Sequence, residues 1–426
     1  MTDTEIIDVD AWEVLDSRGR PTVACRVSLR DGSFGVAAVP SGASTGRHEA
    51  HELRDGGTRY GGLGVLSAVA NVRADLSSAV LGRHADDQRG LDESLREADG
   101  SRNLSRLGAN AVLSISLAAA IALANSRRTP LWRVIGSVPL LPLPMVNIIS
   151  GGAHAGGVID IQDVLAIPVG ASTFSEAIEW AAAVRTATAQ VAIAEGIASD
   201  LVADEGGIAA RLPSNRAAVE LIARGIEASG LRLGDDVGIA IDVAATQFVT
   251  PEGRYRLVAE DRTLESGELV DEIADWCRDF PVLSVEDVLA EDDWEGWEYA
   301  SVRLSGIQLL GDDLFVTQRE RLNEGKSRGV ANAVLVKVNQ NGTLTGGLDV
   351  VAQAQAIGYA PVVSARSGET EDTWLADIAV GSRAGQIKVG STTRSERTAK
   401  WNRLLQIERE LGGPDQVAFA GRGALK

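Results

Sequence analysis

A series of short, almost continuous apolar runs, each carrying a charged or small polar residue at or near its end, limits how this chain can fold. The clearest are GIAIDV (238–243), PVLSVED (281–287), IQLLGDD (307–313), AVLVKVN (333–339), APVVSAR (360–366) and GQIKVG (385–390). Runs this short and this apolar suit the strands of a parallel sheet covered on both faces. After Glu286, the residues Asp312, Lys337, Ala365 and Lys388 follow at intervals of 26, 25, 28 and 23. A strand and its return helix take about that much chain. In a (β/α) barrel the carboxyl ends of the strands converge on one mouth, where the chemistry sits. Such a barrel would aim Asp242, Glu286, Asp312, Lys337, Arg366 and Lys388 into one pocket. An open doubly wound sheet is the rival; it would spread the strand ends along a line, and no glycine-rich dinucleotide fingerprint follows the first strand.

The chain before these runs reads differently. Residues 6–30 hold β-branched runs interrupted by SRGRP, the pattern of strand, turn, strand. The glycine- and serine-rich segment VPSGASTG (39–46) follows, then mostly helical sequence to about residue 135. The stretch GSVPLLPLP (136–144) breaks helix and marks the domain boundary, giving domains 1–135 and 136–426. The most apolar segment, Ala109 to Ala124, carries Asn110, Ser114 and Ser116. It falls short of the ~20 residues that cross a bilayer, so a buried helix is expected and no membrane span. The acidic N-terminus lacks the basic and apolar regions of a signal peptide.

With 426 residues, 45% of them hydrophobic, the chain can build two large cores. A net charge of −18 without any Lys/Arg run argues against nucleic acid or an anionic membrane as partner. Cys25 and Cys277 form no framework and no metal-binding spacing, which suits a reducing, cytoplasmic setting.

Each candidate group has a structural and a functional reading. Asp242, Glu286 and Asp312 could each cap the next helix. Three carboxylates in one pocket would repel one another unless neutralised, and an oxygen-only donor set points to Mg²⁺ rather than Zn²⁺. Lys337 and Lys388 could be salt-bridge partners of those acids. Between a metal and another cation, Lys337 would instead have a lowered pKa and act as a general base. Glu205, in VADEGGIA, is a weak signal alone. GGAHAGG (151–157), which carries His154, and SGASTG (41–46) could be linkers or mobile lids. Arg366 and Ser367, at the expected start of a helical segment, could grip a phosphate with guanidinium, hydroxyl and helix N-terminus, or be a surface cap.

Seven segments, in order and spread over nearly the whole chain, resemble the signature segments of the enolase family: DSRGRPTV (16–23), VPSGASTGRHEA (39–50), NIISGGAHA (147–155), DEGG (204–207), GDDLFVT (311–317), RSGETED (366–372) and QIKVGS (386–391). The resemblance implies an N-terminal α+β domain followed by a (β/α)8 TIM-like barrel that begins with an antiparallel hairpin. It implies two Mg²⁺ per active site, one brought by the substrate. Asp242, Glu286 and Asp312 match the ligands of the first ion, and Ser44 the lid serine that closes over the second. Lys337 matches the base that removes the C2 proton of 2-phosphoglycerate. Glu205 matches the acid that assists departure of the C3 hydroxyl and His154 the lid histidine, and both His154 and Asp163 are expected among the catalytic groups. Lys388 matches the group that holds the substrate carboxylate, Arg366 and Ser367 the phosphate grip, and Gln162 a further substrate contact. The substrate implied is a small phosphorylated carboxylic acid, and the assembly a homodimer or higher homo-oligomer.

The chain departs from the family at a few positions. Ala365 stands where enolases have the His before the Arg-Ser pair, and Asp163 where they have Glu. Ala153 and Ala203 replace a Glu and a Gly of the two loops, and Ile208-Ala209-Ala210 replaces Tyr-Ala-Pro. These changes cluster on the side where the hydroxyl leaves, where they remove donors and enlarge the pocket. Three readings follow. The first is a 2-phosphoglycerate dehydratase. The second is an enzyme of phosphonate natural-product biosynthesis, similar to carboxyphosphonoenolpyruvate synthase, acting on a related three-carbon acid. The third is a non-catalytic binding protein on the same body.

Overall fold

The computed structural model describes residues 3–42 and 46–426. The chain opens with a meander of three antiparallel strands: β1 (Ile6–Leu15), β2 (Pro21–Leu29) and β3 (Phe34–Ala38). The SRGRP interruption is a turn. Asp16 accepts the backbone N–H groups of Arg18 and Arg20 at 2.8 and 2.9 Å, and Gly19 supplies the left-handed φ of 71°. The apolar helix Ala109–Ser126 packs on this sheet. At Gly35 it comes so near that an added Cβ would lie 2.2 Å from the Ala118 carbonyl oxygen. The helix is long and apolar enough to cross a membrane, yet 89% of it is buried inside the protein. That is the packing of the core helix expected there.

Eight strands then close a barrel: β4 (Leu143–Ser150), β5 (Asp163–Ile167), β6 (Gly238–Asp242), then, after a small hairpin of β7 (Tyr255–Leu257) and β8 (Arg262–Leu264), β9 (Val282–Glu286), β10 (Gln308–Gly311), β11 (Ala333–Val336), β12 (Ala360–Ser364) and β13 (Gln386–Gly390). β13 pairs with β4 to complete the ring. The barrel, not the open sheet, is the arrangement adopted. Its strands bury both faces, as their unbroken apolar runs require. Leu143, Met145, Leu165, Leu310, Leu335 and Val362 fill the interior. Ile148, Ile241, Val285, Val334, Val363 and Ile387 join the core under the surrounding helices. Fully burying one such side chain is worth ~1.5–3 kcal/mol.

β5 alone runs against its neighbours, antiparallel to both β4 and β6. A reversed strand brings its first residue to the mouth instead of its last. The register therefore sets Asp163 opposite Asp242, with Gln162 just before it. On β13 the polar residue is not terminal: Lys388 is the third of five, and the register with β4 shifts between Lys388 and Gly390. The N-terminal region is tied across the mouth. Ser41 and Gly368 exchange backbone hydrogen bonds of 2.8 and 2.9 Å, and Ser17 N–H donates to the Glu369 carbonyl at 2.8 Å.

Candidate active site

Asp242 and Glu286 are neighbours in the β6–β9 ladder. Lys388 reaches across the barrel to both, with its Nζ 2.7 Å from Asp242 Oδ2 and 2.7 Å from Glu286 Oε2. Asp312 follows β10, where it is bonded by Lys337 Nζ, from just after β11, and by Gln340 Nε2 at 2.9 Å. None of the three acids is a helix cap. Asp293 caps the helix after β9 through the Gly296 N–H, and the helices after β6 and β10 begin at Ser266 and Arg319. The capping alternative is thereby set aside. The lysines are ion-paired, as their own structural reading expected, and the acids they meet are the ones placed at the mouth.

Burial opposes charge on Lys388, but Asp242 and Glu286 outweigh it and hold the ammonium well above its ordinary range. Burial likewise opposes charge on Lys337, and Asp312 again wins, so its pKa moves up. This is opposite to the lowered value expected of Lys337. That expectation counted a metal's charge beside the lysine, and the protein's own groups set the other direction.

On the facing side, His154 sits in a 3₁₀ turn after β4 and Glu205 in the loop before Gly206. His154 Nδ1 lies 3.0 Å from Asp163 Oδ2, and its Nε2 3.7 Å from Glu205 Oε1. Asp163 is fully buried. Its other oxygen accepts from Asn147 Nδ2 and, at 2.9 Å, from Ser150 Oγ. Burial works against an imidazolium at His154, but Asp163 and Glu205 raise its pKa. Burial also opposes the Glu205 carboxylate, which His154 and Arg397 nonetheless hold below the usual range.

One small chamber joins these sides. His154, Gln162, Glu205, Lys337, Ser364 to Ser367 and Lys388 line it. Asp163 does not. Arg366 is buried and held by Glu49, at 2.9 Å to Oε2 and 3.3 Å to Oε1, and by Asn339 Oδ1 at 3.1 Å. Ser367 Oγ accepts from Arg18 Nη1 at 3.2 Å. The helix expected to start at this pair starts at Trp374 instead, because the pairing of Gly368 with Ser41 keeps the backbone extended. A phosphate here would meet guanidinium and hydroxyl but no helix N-terminus. Ser44 lies outside the described residues.

The acids fit a hard divalent cation. Two carboxylate oxygens already converge on one cationic atom, Lys388 Nζ, and every donor is oxygen. Burial and then Asp242 push the Glu286 carboxyl well above its ordinary range, the mutual opposition of carboxylates in one pocket that a bound cation would relieve. Asp312 stands somewhat apart from the other two. One of its oxygens lies within 4.8 Å of one oxygen from each of Asp287 and Asp313, and one atom each of His154, Asp163 and Glu205 forms a second such group.

Several residues of the site had no signal in the strand pattern. Glu49 meets Arg366 from 317 positions away. Asn147 and Ser150 tether Asp163 from inside β4. Asp287, just past β9, accepts the backbone N–H groups of Asp312 and Asp313 at 2.9 and 2.8 Å and so sets the loop that carries Asp312. Gln162, expected against the substrate, lines the chamber but also donates to Asp242 Oδ2 at 3.1 Å, so it orients an acid as well.

The comparison with known families agrees with this geometry along almost the whole chain. Residues 6–135 match the model of the enolase N-terminal domain, and residues 138–426 that of the enolase C-terminal TIM barrel domain.

Proposed function

The chain belongs to the enolase family, and on that premise we propose that it is a Mg²⁺-dependent carbon–oxygen lyase that dehydrates 2-phosphoglycerate to phosphoenolpyruvate. The observation that carries this reading is the placement of Lys337 and Glu205 on facing sides of one chamber that Lys388 and Arg366 also line. A base on one side and an acid on the other are what elimination across a carbon–carbon bond needs.

Arg366 and Ser367 bind the phosphate, and Lys388 orients the carboxylate. Lys337 takes the C2 proton once its amine is neutral, a state that positive charge bound at Asp312 would favour by offsetting the upward pull of that acid. Glu205 and His154 face the C3 hydroxyl, which takes a proton from that pair as its bond to C3 breaks and leaves as water, and the buried walls keep bulk water from the intermediate. Proton removal beside a carboxylate leaves a doubly charged enolate. Mg²⁺, held by Asp242, Glu286 and Asp312, would supply positive charge against it, and a second ion is expected with the substrate. Gln162 and Gln340 fix the orientation of Asp242 and Asp312.

Ala365 supports a second reading. It offers the chamber only a methyl group, and so leaves that wall without the imidazole that enolases carry there. A related phosphorylated or phosphonylated three-carbon acid, as used by carboxyphosphonoenolpyruvate synthase, would suit that opening.

The test is incubation with Mg²⁺ and 2-phosphoglycerate in D₂O, following product by ultraviolet absorbance and C2 deuterium by NMR. We expect both signals, and a loss of about 10²–10⁴-fold in each with Lys337→Ala. Exchange without product would favour the second reading. Exchange unchanged by Lys337→Ala would remove the base from the proposal, and neither signal in the parent protein would point to a binding role or another substrate.

A further inference from the structure

We propose that Asp163 acts through His154, as a positioning residue that fixes the imidazole with Nε2 turned to Glu205 and the chamber, and not as a second acid facing the ligand. The inference deepens the reading above and rests on it only for its kinetic consequence.

Asp163 has no exposed surface and is not among the residues that line the chamber, whereas His154, Gln162 and Glu205 are. Both of its oxygens are engaged behind the imidazole, one by Asn147 and Ser150 and the other by His154 Nδ1 at 3.0 Å. Burial raises the Asp163 pKa against the pull of the facing imidazole. As a carboxylate Asp163 only accepts, which puts the proton on Nδ1 and removes the free choice of tautomer at His154. Nε2 stands 3.7 Å from Glu205 Oε1, too far for a full hydrogen bond. It is thus available to an oxygen of whatever enters beside Glu205.

The charged groups around this histidine are Asp163 behind it, Glu205 before it and Asp242 from β6, with Arg397 3.8 Å beyond Glu205. Asp163 and Glu205 outweigh the burial that opposes charge on the ring, so its pKa moves up, and Nε2 stands beside Glu205 in the chamber that Ala365 also lines.

The short side chain matters to this arrangement. The tethers of Asp163 are hemmed in by the 204–207 loop: a Cβ on Gly207 would lie 2.4 Å from Ser150 Oγ and 2.8 Å from Asn147 Oδ1. One more methylene at 163 would bring the carboxylate closer to the imidazole, against tethers that the 204–207 loop confines. If residue 163 instead faced the ligand, the longer glutamate would serve at least as well.

The experiment uses protein labelled with ¹⁵N-histidine. The chain has four histidines, and His154→Gln identifies the signals of the fourth. We expect His154 to show a strongly hydrogen-bonded Nδ1–H that Asp163→Asn abolishes or moves to the other nitrogen. Ser150→Ala, which removes one tether and leaves the barrel acid in place, should shift the same signal by less. On 2-phosphoglycerate, Asp163→Asn should lower kcat by about 10- to 100-fold with little change in KM, and Asp163→Glu should also lower it. A rise in kcat with Asp163→Glu would overturn the proposal, as would His154 signals unmoved by Asp163→Asn. Should Asp163→Asn not fold, an unmoved His154 signal in Ser150→Ala would overturn it equally. If the parent protein does not turn over 2-phosphoglycerate, that counts against the proposed reaction, and the spectra, which need no substrate, still decide the role of Asp163.

Discussion

On one side of the mouth, Lys388 on β13 meets Asp242 and Glu286 at the ends of β6 and β9, and Lys337 just after β11 meets Asp312 just after β10; on the other, His154 and Glu205 stand on loops and lean on side chains behind them. The first side is placed by the barrel's own ladder. Asp242 and Glu286 face each other because their strands pair in register, and moving either would mean breaking the ring. The second side is placed by a few tethers, from Asn147 and Ser150 through Asp163 to His154. A group on a strand inherits the stiffness of the sheet, whereas one on a loop is only as fixed as the hydrogen bonds that hold it. Of the departures from the family pattern, Ala153, Ala203 and Ile208 to Ala210 fall on loops of the second side, whereas Asp163 opens β5 and Ala365 follows β12 with its N–H bonded to the Lys388 carbonyl at 2.9 Å.

The largest effect that would break this contrast is expected at Asp242. In the parent protein, Mg²⁺ at 100 times its dissociation constant should stabilise the fold by about 2.7 kcal/mol, read as a rise in the thermal midpoint that a chelator reverses. With Asp242→Asn that rise should largely vanish, because the strand-borne acid cluster loses a ligand. A full response in the variant would move the ion to one of the other two oxygen-bearing groups, around Asp312 or around His154, and the division between the sides would fall with it.

The same division decides what could be read from the chain. Glu286, Asp312 and Lys337 were legible as a set because strand plus helix repeats at a nearly constant length, and that repeat alone brings them to one mouth. Lys388 was legible as a member but not as a mid-strand residue, since the register shift before Gly390 leaves no mark in composition. Asp163 entered through resemblance, as a catalytic group. Its withdrawal behind His154 depends on a reversed strand and on Asn147 and Ser150, which read simply as part of an apolar run. The pairing of Arg366 with Glu49 joins two distant segments, so no local pattern could announce it, and it was the bridge between Ser41 and Gly368 that removed the expected helix start.

A smaller effect sharpens the tether argument. Gly207 does not need a left-handed backbone; its constraint is space, since an added methyl would strike Ser150 and Asn147. Gly207→Ala should push on the tethers of Asp163 without touching any residue of the base side. We expect a loss of about 1–3 kcal/mol in stability from overpacking and a drop in product formation larger than the drop in C2 exchange. Equal losses in both would show that the two sides move as one body.

The smallest effect should come from a charge pair outside the mouth. Arg89, on the helix Gln88–Asp99, makes two hydrogen bonds of 2.7 and 3.0 Å to Asp349, on the helix Leu344–Ile357 of the barrel. Its side chain is 58% exposed, so solvent screens the pair and Asp349→Asn should cost under about 1 kcal/mol and leave kcat unchanged. Arg89 lowers the Asp349 pKa. A carboxyl whose folded pKa lies below its unfolded one contributes stability that is present above the unfolded value and lost as pH falls through the folded one. The difference between parent and variant in denaturant unfolding should therefore be small near neutrality and disappear at acid pH. A cost as large as that at Gly207 would mean that the two domains are held together by surface charge and not by the strand-borne and buried contacts at the mouth, and the contrast between its two sides would then rest on a joint that salt alone could loosen.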